Sequence, residues 1–206
     1  MNKGFAYPHY TSRKGNNMGY FDILMMILSL LSSDNAPHKM TDNPRVLMHL
    51  QEVALEISKA PTRYHADLIS MGYNESRFGY RFAYEGKEIE SNGDCGIFQQ
   101  RPRFANAGKT TCKKLQSSKE AVKQAIAYIR YIEKRWGSEY ITVKDSKGRK
   151  VRQNIVMCHY NGGNSCDTNR DKRVNSKDRA VRYAFNHNAI KKLVELKWLF
   201  DEVATN

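Results

Sequence analysis

No apolar run in the 206-residue sequence is long enough to cross a bilayer. The best candidate, Ile23 to Leu31, is broken by Ser29 and falls short of the roughly 20 residues a spanning helix needs. Its length suits the core of a secretion signal, but Asp22 at its edge is out of place in one, so a helix packing on the domain or on a partner stays open. Metal-ligand spacing is also missing. His9, His38, His49, His65, His159 and His187 are scattered, and Cys95, Cys112, Cys158 and Cys166 form two local pairs rather than a CxxC array. With no P-loop, zinc-finger spacing or RNP-type aromatic motif, neither a metal nor a cofactor is expected, and sequence-specific nucleic-acid recognition has no carrier. Internal repeats and low-complexity tracts are absent too.

What is present is positive charge. Lys and Arg number 34 against 21 Asp and Glu, a formal +13, which favours an anionic partner: nucleic acid by non-specific contact, anionic lipid, or the acidic bacterial envelope. An apolar content of 40% over this length is enough for one principal core. Residues 1–41 mix Gly, Asn, Ser, Pro and Tyr around the apolar run and read as an N-terminal arm; residues 42–206 read as the main domain. Pairing Cys95 with Cys112 and Cys158 with Cys166 would close short loops. The order of the cysteines does not choose among connectivities, and buried free thiols remain an alternative.

The domain opens on a helix-start signal. Asp42-Asn43-Pro44 supplies a cap and a first-turn proline, and Val46, Leu50, Val53 and Ile57 follow at helical spacing. After Pro61, Tyr64, Leu68, Met71 and Glu75 share one face of a second helix. Gly86, Gly93, Gly96 and Pro102 punctuate residues 80–111, which suit loops and short strands. Ser117-Ser118-Lys119-Glu120 reads as a capping box opening a long helix with Val122, Ile126, Ile129, Ile132 and Trp136 on its stripe, ended by Gly137. A basic hairpin is expected over 140–151 around Asp145-Ser146-Lys147-Gly148. A helix through Ile155, Val156 and His159 then leads to a loop at Asn161, and a last helix carries Val181, Phe185, Leu193, Leu196 and Leu199. The fold class is mainly α, with a small irregular and β-hairpin region.

A carboxylate at the end of an apolar stripe is the unexpected feature. Acid catalysis at a glycosidic bond needs a carboxyl group that holds its proton near neutrality, and apolar crowding favours that state. Met71, Tyr73, Phe78, Tyr80 and Phe82 surround Glu75 in the stretch MGYNESRFGYRF. Taken alone, a Glu capping or salt-bridging a helix end is the plainer reading. Three further segments follow in order: GDCGIFQQRPRF from Gly93 to Phe104, AVKQAIAYIRYIEKRWG from Ala121 to Gly137, and CHYNGG from Cys158 to Gly163. Together with Glu75-Ser76 they resemble the lytic transglycosylases of the soluble, secretion-associated and phage-virion type. That family has Glu-Ser at a helix end, a Gly-Leu-Met-Gln turn, a helical Tyr-Leu element and Ala-Tyr-Asn-Ala-Gly. Phe98 stands where the family has Met, and Gly162 where it has Ala.

The resemblance implies an α+β lysozyme-like domain with a cleft, in which Glu75 is the catalytic acid and base. It implies that Ser76 positions the acid, and that Gln99, Tyr128, Tyr160 and Asn161 hold the glycan. The substrate would be the peptidoglycan glycan strand, cut between N-acetylmuramic acid and N-acetylglucosamine without water, to leave a 1,6-anhydromuramyl end. One protein carboxylate suffices for that, because the N-acetyl group can assist at the anomeric carbon. A hydrolytic lysozyme would want a second carboxylate, for which Glu85, Glu88, Glu90 and Asp94 are candidates. A non-catalytic, basic structural or DNA-ejection protein is the competing class. The expected setting is a phage virion whose protein acts in the bacterial periplasm, with a periplasmic secretion accessory as the alternative. Virion or secretion-machine proteins would meet the N-terminal arm.

Overall fold

A computed structural model of the chain describes residues 18–33, 42–138, 140–144, 150–162 and 189–196. Residues 1–17 and 34–41 of the expected arm, the hairpin turn 145–149, Cys166, and Val181, Phe185 and Leu199 of the expected last helix lie outside the described residues. The described part is mostly helical with small antiparallel strand pairs, in keeping with the mainly α expectation.

The apolar run forms α1 (Tyr20–Ser33), opened by Asp22, whose carboxylate accepts from the Gly19 N–H at 2.9 Å. Ile23, Leu24, Met26, Ile27, Leu30 and Leu31 recur at steps of three and four and are all buried. They belong to the same core as the main domain, packed chiefly on α2 (Pro44–Ser58). Of the two open readings of this run, the structure therefore has a helix packed on the domain. In α2 the Asn43 side chain accepts from the N–H groups of Arg45 at 3.0 Å and Val46 at 3.4 Å, and Pro44 fills the first turn, where its missing N–H costs nothing. Val46, Leu50, Val53, Ala54 and Ile57 are its buried face.

A 3₁₀ turn, Thr62–Tyr64, leads into α3 (His65–Ser76), the central helix. Every residue from His65 to Tyr73 is buried, so α3 is enclosed on all sides. Its polar members carry compensation. His65 Nε2 pairs with the Ala60 carbonyl at 2.9 Å, and Asp67 meets Lys191 Nζ at 2.6 Å. Lys191 belongs to the helical residues 189–196, which also bury Val194.

Three consecutive left-handed residues, Arg77 (φ 54°), Phe78 (φ 57°) and Gly79 (φ 71°), end α3. The chain then forms α4 (Tyr80–Glu85), bounded by Gly79 and Gly86, both left-handed. This short helix differs from the expected irregular stretch, because Gly86, which reads as a loop breaker, acts as its C-cap, with the left-handed Gly79 at its start. Strands β1 (Glu90–Ser91) and β2 (Asp94–Cys95) pair across Asn92 and Gly93, both at positive φ, as a two-residue Asn-Gly hairpin requires. Helix α5 (Cys112–Leu115) follows, tied back by a Cys95–Cys112 disulfide with a Cα separation of 5.3 Å.

Helix α6 (Ser118–Trp136) buries Val122, Ala125, Ile129 and Ile132, and Gly137 ends it. The capping box does not form as expected. Ser117 is the cap residue without a side-chain bond, and Glu120 instead accepts from Gln124 Nε2 at 2.7 Å. Strands β3 (Tyr140–Lys144) and β4 (Lys150–Asn154) make the anticipated hairpin, in a register that sets Tyr140 opposite Asn154. Asn154 caps α7 (Ile155–Gly162) by accepting from Val156 N at 2.9 Å, and its amide donates to Ser138 O at 3.2 Å. Helix α7 packs on α6, with Ile155 to His159 buried.

Candidate active site

The site grows out of the end of α3. At Gly72 an added Cβ would stand 2.8 Å from the Phe78 ring and 3.4 Å from the Phe98 ring, so only glycine lets the buried Phe78 ring close on the helix beside Phe98. Glu75 lies one turn further on the same face, half-buried.

Against this helix end runs the turn Gly96-Ile97-Phe98-Gln99. Backbone pairing of Cys95 with Gln100 in both directions, at 3.0 and 2.9 Å, closes the turn, and Gly96 N donates to Ile89 O at 2.8 Å. Gly96 has φ +72°, and a Cβ there would run into the Leu115 carbonyl, so the turn, α5 and the Cys95–Cys112 bridge are pressed together. Two side chains from other elements hold the turn's carbonyls. Ser76 Oγ donates to Ile97 O at 2.7 Å, and Tyr160 Oη donates to Phe98 O at 2.8 Å. Ser76 therefore ties the acid-bearing helix end to the turn. Gln99, at φ 47°, folds its amide back to donate to Gly96 O at 3.0 Å, so it braces its own turn.

Tyr160 comes from α7 and meets Tyr128 of α6, with ring centroids 5.6 Å apart and planes at 57°. Burial, then the negative charge of Glu75, then Tyr128 and Asp94, push the Tyr160 phenol well above the ordinary tyrosine range. It stays a proton donor, and Glu75 and Asp94 both act on one hydroxyl. Burial, helped by Tyr131, also raises Tyr128. The Asn161 backbone is in α7, but its side chain lies outside the described residues.

Among the four candidate second carboxylates, Asp94 is the one whose charge acts on Tyr160. It is held by Arg101 through two hydrogen bonds, Nε to Oδ1 at 2.8 Å and Nη2 to Oδ2 at 3.0 Å, with both groups about one-third exposed. Glu85 is engaged on the surface by Lys87 and Arg81, which lower its pKa, and Glu88 and Glu90 are exposed. Sequence reasoning left Asp94 undistinguished because its position depends on the β1–β2 hairpin, where spacing says nothing about direction. The anchoring roles of Arg101 and the Phe98 carbonyl carried no sequence signal.

Glu90, Cys95 and Cys112 are close enough to suggest metal ligands, but two of the three sulfur and oxygen donors are joined in the disulfide and offer no thiolate. Cys158 is disulfide-bonded as well. A separate hollow of about 300 Å³, lined by His49, Gly86, Lys87, Glu88 and Gln116 among others, contains none of Glu75, Ser76, Gln99, Tyr128 and Tyr160. Its Gln116 side chain is engaged by both the N–H and the carbonyl of Ile89, at 2.7 and 3.2 Å. Comparison of the chain with protein-family models, curated proteins and solved structures finds no match.

Proposed function

We propose that the protein cleaves the β-1,4 bond between N-acetylmuramic acid and N-acetylglucosamine in peptidoglycan, as a lytic transglycosylase of lysozyme-like architecture with Glu75 as its acid and base. One observation carries this reading. Four segments far apart in sequence, the ends of α3 and α7, the Gly96–Gln99 turn and the Tyr128 face of α6, meet at the helix end that carries Glu75, whose charge acts on Tyr160.

Glu75 donates its proton to the glycosidic oxygen as the C1–O bond breaks, and N-acetylglucosamine leaves as an alcohol. The muramyl 6-hydroxyl oxygen then bonds to C1, its proton passes to Glu75, and the 1,6-anhydro ring closes with the enzyme regenerated. The N-acetyl group shields the electron-poor anomeric carbon between these steps. Tyr160 and Tyr128 offer the sugar an apolar wall with a polar tip, and Ser76 fixes the acid relative to the turn. The Cys95–Cys112 bridge suits an oxidising compartment such as the periplasm. We assign the protein to local wall opening there, delivered by a phage virion or serving a secretion machine.

The placement of Asp94 favours one second reading, hydrolysis, in which Asp94 faces the sugar as the other carboxylate. Fragment release from purified peptidoglycan tests both. Under the first reading Glu75→Gln abolishes release and Asp94→Asn retains it; under the second, both variants lose it. Release unaffected by Glu75→Gln would refute both.

A further inference from the structure

The aromatic contact at the site does not stop at Tyr128. On the same helix Tyr131 stacks beside Tyr128, with centroids 6.1 Å apart and planes at 12°, and Trp136 meets the edge of Tyr131 at 5.8 Å. Trp136 is backed in turn by the buried His159 ring, stacked at 4.0 Å, on the residue preceding Tyr160. The rings therefore form a line along α6 from Tyr160 outward. At 1.5 Å per residue, Tyr128 to Trp136 covers about 12 Å along the axis, long enough to meet more than one sugar ring. Tyr131 is 47% exposed, so the line has an accessible face. Arg135 adds a cation to it: its Nη1 donates to Tyr131 Oη at 2.8 Å, and its guanidinium lies over the Trp136 ring, 4.7 Å from the centroid.

We propose that Tyr131, backed by Trp136 and with Arg135 lying over the Trp136 ring, forms a distal subsite that binds sugar rings of the glycan strand beyond the bond being cut. The proposal rests on the glycan-cleaving reading above and deepens it. A pyranose presents an apolar C–H face and a rim of hydroxyls, which matches an aromatic ring flanked by hydrogen-bonding groups. Muramyl residues add carboxylates through the lactyl ether and its peptide, and Arg135 is placed to meet them. A single-stranded nucleic acid could also stack on rings beside an arginine. The glycan is favoured because the line is continuous with the ring that touches the Glu75 neighbourhood.

The test compares wild type, Tyr131→Ala and Tyr131→Phe on peptide-free glycan strands sorted by length, from tetrasaccharide upward. Binding is followed in parallel in a Glu75→Gln background by calorimetry. Tyr131→Ala should raise KM on long strands about tenfold, the loss of one stacking contact, and leave tetrasaccharide turnover unchanged. Tyr131→Phe should keep most of the long-strand advantage. Equal losses on short and long strands, or none on either, while the wild type cleaves normally, would overturn the subsite and leave the Glu75 reading standing. Absence of any cleavage or glycan binding by the wild type would overturn both. Oligonucleotide binding lost in Tyr131→Ala while glycan binding persists would assign the rings to nucleic acid instead.

Discussion

Gly72 sets the geometry at the residue scale. Its hydrogen is all that fits between α3 and the Phe78 ring, so Gly72→Ala must push that buried ring out of place. We expect a loss of about 1–3 kcal/mol in denaturant unfolding, the usual cost of overpacking a filled core. Activity should fall further than stability explains, because Glu75 rides on the same turn. Glu75-Ser76 and Tyr160 were legible in the sequence as residue types at a helix end and in a Tyr-Asn segment. The inward bond of Gln99 and the partner of Ser76 were not. Gln99 bonds inward because of a left-handed backbone, and the Ser76 partner is the carbonyl of Ile97, 21 positions away. A backbone acceptor leaves no mark in the sequence beyond the fold that presents it.

Among the elements, the helical residues 189–196 are latched to α3 by the Asp67–Lys191 pair, both partners largely buried. Burial lowers the Lys191 pKa, but the Asp67 charge and hydrogen bond outweigh it and hold the group above the ordinary lysine value. A raised folded-state value means that this stabilisation is fully present below the unfolded lysine pKa of about 10.4 and is lost as pH rises through the folded value. Alkaline unfolding should therefore contain a step that Lys191→Met removes. At neutral pH the same variant leaves Asp67 buried without its cation and should cost about 3–5 kcal/mol, measured by urea denaturation. Unchanged stability in Lys191→Met would contradict the latch. The start of α2 and the stripe of α6 were readable from Asn43-Pro44 and from the spacing of Val122, Ile129 and Ile132. Helix α4 was not, because Gly79 and Gly86 signal interruption equally well as loop residues or as caps. The Ser117 capping box failed for a comparable reason: Glu120 found Gln124 instead.

At the scale of the whole molecule, composition indicated a basic, single-core protein, and among the described residues no helix is long and apolar enough to cross a membrane. The apolar run in α1 could not be placed from sequence alone, since a buried helix and a signal core share the same residues. Its contact with α2 depends on a long-range meeting of two apolar faces. With a formal charge of +13, adsorption to the anionic wall should be electrostatic in large part. Co-sedimentation of Glu75→Gln with peptidoglycan should weaken steeply as salt rises and the Debye length falls from about 10 Å at 0.1 M to about 3 Å at 1 M. Binding insensitive to salt would leave the charge without the role given to it here.

The most direct measurement of the central claim is mass spectrometry of the glycan ends released from purified peptidoglycan by the wild type and by Glu75→Gln. The account predicts 1,6-anhydromuramyl ends, lighter by one water than reducing ends, from the wild type and none from the variant. Reducing ends from the wild type, or anhydro ends that persist in Glu75→Gln, would contradict it.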